Sequence, residues 1–216
     1  IANGRIQLAH DEALGVPGAG DTPAIGAPQC LFFGNSSGGT LEAIGGTRVI
    51  PANIFMNVGD GTITLAGSNR LEFTGQFVLP SGATATLQAD NTGDTEFSGV
   101  ISRANGALIK SGSELLVFSG DNTYGGATTV SAGELRVDGT TTGQGGYTVQ
   151  SGATLSGDGV IGLAAGQAVT VNSAGTVSPG ASIGTLTTNG DFVLAGALDV
   201  EIDATGADLL DVFGEL

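Results

Sequence analysis

One phrase recurs along the second half of this chain: a short apolar strand, a small residue, a glycine, then a second strand. It reads TTVSAGELRV at Thr128–Val137, YTVQSGATLSG at Tyr147–Gly157, VTVNSAGTVSPG at Val169–Gly180 and DFVLAGALDVEID at Asp191–Asp203. The apolar residue after the glycine falls at Leu115, Leu135, Leu155, Val177 and Leu198, in steps of 20, 20, 22 and 21 residues. A period of this size marks a repeat architecture and limits the fold more than any single residue does. Each step predicts one coil of a β-solenoid, stacked about 4.8 Å from the next, with neighbours completing a shared core. About ten coils would make a rod roughly 45–50 Å long.

Composition agrees with strands. Val, Leu, Ile and Thr dominate, Met occurs once, and no interval has the pattern of an amphipathic helix. At 40% hydrophobic and 12% charged residues, the chain is too apolar for a disordered tail. The 39 glycines follow no G-X-Y period, which excludes collagen. The fold class is all-β. A β-sandwich is the competing arrangement, and a regular step in one direction disfavours it.

The chain divides into an irregular part, 1–60, and a regular solenoid, 61–216. In the first part Gly15–Pro28 reads as a long Gly/Pro/Ala loop and Gln29–Phe33 as a short strand. From Thr47 onward, strands alternate in sidedness, placing Ile63 with Leu65, and Leu71 with Phe73, on single faces. The chain opens within a strand phrase and without Met, so it reads as a segment of a longer protein.

Gly106–Val137, GALIKSGSELLVFSGDNTYGGATTVSAGELRV, resembles the autotransporter-associated β-strand repeat in its GxLxKxGxGxLxLxGxNTYxGxTxVxxGxLxV form. The matching positions run from Gly106, Leu108, Lys110 and Gly112 through Asn122-Thr123-Tyr124 to Gly133, Leu135 and Val137. Glu114 departs from the small polar residue usual there. Val177–Gly196 is similar to the SPGxSxGTLxxxG stretch that often follows. The resemblance implies a right-handed parallel β-helix, export, outer-membrane display and often adhesion.

Charge excludes several partners. The net charge is −15, and no basic residue follows Arg136. Nucleic acid and anionic membrane surfaces require the opposite sign. No stretch has the ~20 apolar residues of a membrane helix. Cys30 has no partner for an internal disulfide and reads as a buried apolar residue beside Leu31, Phe32 and Phe33.

No catalytic, cofactor-binding or metal-binding residue is assigned. His10, beside Asp11 and Glu12, reads as a solvated loop histidine, with nothing to bring Ser36, Ser37 or Cys30 to it. Asn35-Ser36-Ser37 has the form of an N-glycosylation acceptor, relevant only to a eukaryotic secretory pathway. Gly157-Asp158-Gly159-Val160-Ile161-Gly162 matches GxGxxG without a following helix, so it reads as compositional. Glu114 and Glu134, one step apart, form a carboxylate pair if coils stack in register, as a polysaccharide-cleaving β-helix would need. Asp199, Glu201 and Asp203 alternate with Val200 and Ile202. They are expected on one solvated strand face with the two apolar residues inward, and with Asp208 and Asp211 they would offer at best a weak calcium site. Asn122-Thr123-Tyr124 is expected to be a structural turn.

The sequence therefore points to a non-enzymatic extracellular stalk or adhesin scaffold. A self-assembling filament subunit, joined through solenoid ends, is the first alternative, and a polysaccharide-active β-helix enzyme the second. Host or matrix surface ligands are the other expected partners.

Overall fold

The computed structural model describes residues 4–9, 30–33, 38–56, 59–143 and 145–215. All its named elements are strands, and every strand-to-strand pairing is parallel. The chain winds as a three-sided β-solenoid of about eight turns. Face one is a nine-stranded sheet running from Gly4–Leu8 through Thr84–Asn91 and Tyr147–Val149 to Asp191–Leu194. Face two has eight strands, from Arg48–Ile50 to Ala197–Leu198. Face three is built from two four-stranded sheets, the first ending at Ile101–Ser102 and the second beginning at Thr140–Thr141. We number the coils one to nine by their strand in face one.

Partners along face one step by 24, 24, 23, 20, 19, 22 and 23 residues after a first step of 35. The shortest coils, at 20 and 19 residues, are those of the repeat segment, and the coils on either side carry longer corners. That is why nine strands span face one, a stack of about 40 Å, where ten coils were expected. The expected Gly15–Pro28 loop, His10 and the Asn35–Ser37 acceptor lie outside the described residues.

Alternating residues point inward and form ladders along the rod. On face two one ladder reads Leu71, Thr95, Leu116, Leu135, Leu155, Val177. Its neighbour reads Ile50, Phe73, Phe97, Phe118, Val137. Phe73 and Phe97 stack with centroids 4.6 Å apart, and Phe118 and Phe77 meet Phe97 edge-on at 6.0 and 5.2 Å. Glycines serve the tightest corners. A Cβ on Gly143 would lie 1.7 Å from the Tyr124 carbonyl oxygen.

Two expectations fail on strand parity. Leu135, Leu155, Val177 and Leu198 stand in register as their spacing predicts, but Leu115 pairs with Glu134, and Leu116 with Leu135. The corner between Lys110 and Leu116 holds one residue more than its equivalent in coil six, and the strand shifts by one. Cys30 is exposed, since it shares the outward side of Cys30–Phe33 with Phe32 while Phe33 is buried.

Candidate functional site

The repeat segment 106–137 supplies coil five and most of coil six, and it turns the polar side chains of Lys110, Asn122, Tyr124 and Thr128 into the solenoid. Lys110 occupies the inward ladder between Leu87 and Val130, so parity alone buries it. Its stem packs in the core and its Nζ reaches a corner, donating to the carbonyls of Gly112 and Ala132 at 2.9 Å each. Desolvation pulls its pKa down to about 8, against the attraction of Asp90, Glu114 and Glu134.

Asn122 stands where face three changes from its first sheet to its second. Its Oδ1 accepts the Ile101 N–H at 2.8 Å, and its Nδ2 donates to the Gly120 carbonyl at 3.1 Å. Its own N–H donates to Thr140, and its carbonyl accepts from Thr142. One buried residue thereby holds coils four, five and six together, its side chain reaching coil four and its backbone coil six. Asn122→Ala should cost about 2–4 kcal/mol, because it strands a buried N–H and a buried carbonyl. Urea unfolding measures this, and a loss below about 0.5 kcal/mol would mean that the corner closes without the amide. Tyr124 points inward, its hydroxyl 2.7 Å from Thr128 Oγ1 and 2.9 Å from the Tyr147 hydroxyl. The Asn-Thr-Tyr turn is a structural clamp.

Most of the carboxylates are spread over the outside. Arg70 bridges Glu72 and Glu96 of adjacent coils, with Ser98 and Ser119 donating to the same two acids. Glu114 and Glu134 do not stand opposite one another: the register shift puts Leu115 beside Glu134, and Ser156 Oγ donates to Glu134 at 2.5 Å. The in-register pair that glycoside cleavage was expected to use is therefore not formed. The Gly157–Gly162 stretch is a corner joining strand to strand, and a Cβ on Gly157 would lie 2.1 Å from the Val137 carbonyl oxygen.

The C-terminal acids depart furthest from expectation. The face-two strand stops at Leu198, and the chain then turns back so that Ile202 bridges Ala207 antiparallel. Asp203 drives the turn: its Oδ1 accepts from the Thr205 hydroxyl, the Thr205 N–H and the Gly206 N–H. The Thr205 hydroxyl, then its N–H, hold this carboxyl below its ordinary range. Val200 and Ile202 consequently lie exposed, at 39% and 77%, instead of inward. The Asp-x-Thr-Gly spacing is the signal that marks such an arm. Asp208 is largely buried and accepts the Gly184 N–H at 2.9 Å and the Glu201 N–H at 2.7 Å. Among the described residues, no three His, Cys, Asp or Glu side chains converge as metal ligands.

Residues 108–137 match the passenger-associated-transport-repeat family. A 122-residue stretch, 56% of this chain, is 37% identical to the adhesin BmaC autotransporter of Brucella suis biovar 1. That stretch spans 3% of the adhesin's own length. No solved structure matches the chain. The chain therefore carries an autotransporter passenger repeat in a β-solenoid.

Proposed function

We propose that this chain is a stretch of a bacterial cell-surface adhesin passenger, a stiff and non-enzymatic β-solenoid that projects or spaces adhesive regions. The carrying observation is that the passenger repeat turns four polar side chains, Lys110, Asn122, Tyr124 and Thr128, inward while its acids stay on the outside. Lys110, Asn122 and Tyr124 clamp coils four to seven to one another, leaving the outside hydroxyl-rich and acidic. Such side chains serve rigidity. The similarity to an adhesin autotransporter supports display outside the cell. Antibody raised against 106–137 should label intact producing cells, and mild protease shaving should remove the signal. Signal obtained only after lysis would sink this reading.

A further inference from the structure

A groove of about 370 Å³ lies on face two across coils six to nine. Its floor is a ladder of hydroxyls, with Thr154 paired to Thr176, and the buried Ser156, which donates to Glu134, paired to Ser178. Its walls are the only two places, among the described residues, where the solenoid makes antiparallel bridges. One is the turn after Pro179, where Gly180 bridges Gly157, and the other is the arm in which Ile202 bridges Ala207. Asp208 ties the walls together, one oxygen on the N–H of Gly184 and the other on the N–H of Glu201. Asp208 thereby fixes the two walls relative to each other, which removes an ordering cost from binding. Past Glu201 the groove continues into a second hollow of about 630 Å³, bordered by the exposed apolar side chain of Ile202 and by Ile183.

Its chemistry is selective. Serine and threonine hydroxyls both donate and accept, while the carboxylates of Glu134, Asp199 and Glu201 only accept. No cationic side chain lines the groove, and the last basic residue of the chain, Arg136, is engaged by Asp138 at 2.9 Å. Phosphates, sulfates and uronic acids find no counter-charge there. The carboxylates are too dispersed to surround one metal ion, and suit separate donors along an extended ligand. A ligand rich in hydroxyls, uncharged, and with C–H faces for Ile183 and Ile202 meets all of these conditions.

We propose that this groove binds a segment of neutral polysaccharide. The inference rests on the reading of the chain as a displayed adhesive scaffold, and gives that scaffold a ligand class. The test uses the whole 216-residue protein. Saturation-transfer NMR and calorimetry would be run against cello-, laminari-, malto-, manno- and chitohexaose, with hexagalacturonate as the anionic control. At least one neutral hexaose should bind, and hexagalacturonate should bind at least tenfold more weakly. Asp199→Ala with Glu201→Ala should weaken binding tenfold or more, as should Ser178→Arg, which fills the floor. Should Ser178→Arg fail to fold, Glu201→Gln on the exposed arm serves, with a severalfold loss expected. Thr148→Ala on face one should change nothing. No binding to any neutral hexaose, equal binding of the anionic control, or affinity unchanged in the groove variants would overturn the proposal. Surface labelling of cells reads display separately, so a displayed protein that binds no sugar rejects this inference alone.

Discussion

Phe97→Ala is expected to lower the stability of the central coils by about 3–5 kcal/mol, the largest effect of any single truncation here. Phe97 is fully buried, stacks on Phe73, and takes the edges of Phe77 and Phe118. Removing it empties a ring-sized volume and ends three aromatic contacts worth about 0.5–1.5 kcal/mol each beyond area burial. Both neighbours in the ladder are themselves rings fixed by their own strands, so they cannot close over the gap. Coils interact chiefly with adjacent coils, so the loss should be local. Amide exchange should accelerate most in 71–79, 95–102 and 115–120, and much less beyond Tyr147. Uniform acceleration along the chain would show that the solenoid unfolds as a single unit.

Stability should also rise between pH 8 and 10, and Lys110 is the reason. Its folded pKa of about 8 lies below its ordinary 10.5. Below pH 8 both folded and unfolded states hold the proton, and the folded state bears the full cost of a buried ammonium. Between 8 and 10.5 only the unfolded state still binds it, so unfolding takes up a proton and becomes harder as pH rises. The gain is at most about 3 kcal/mol. A neutral amine keeps two N–H donors, enough for the Gly112 and Ala132 carbonyls. Above pH 10 the trend should reverse. Burial raises the pKa values of Tyr124 and Tyr147, so stability is lost as the unfolded tyrosines ionise. Lys110→Met should flatten the rise while lowering the baseline, because two carbonyls lose their donor. A slope that survives in Lys110→Met would assign it to other groups.

Much of this fold was legible in the chain. A period near 20 residues and alternation such as Ile63 with Leu65 give coils and sidedness directly, since both follow from backbone geometry. The repeat resemblance pointed to the passenger class that the comparisons bear out. What stayed hidden depends on single residues at corners. One extra residue after Lys110 moved Leu116 into the place expected for Leu115, and with it took Glu114 out of register with Glu134. An Asx turn at Asp203 overrode the alternation of VEID, turning Ile202 outward. The groove walls were illegible for the same reason. They arise where two bends interrupt the period, and a reading built on the period cannot locate them.

The parallel ladders run along the rod, so their backbone hydrogen bonds lie in the direction of a load applied at its two ends. A load on the ends therefore opens one coil boundary at a time, as in unzipping. It does not shear many bonds together. Each released coil lengthens the chain from one strand spacing to its extended contour, about 70 Å for a coil of roughly 20 residues. Asn122, fastened to three coils at once, is where such unzipping would pause. Stretched from both ends, the solenoid would behave as an extensible shock absorber with a stop at its middle.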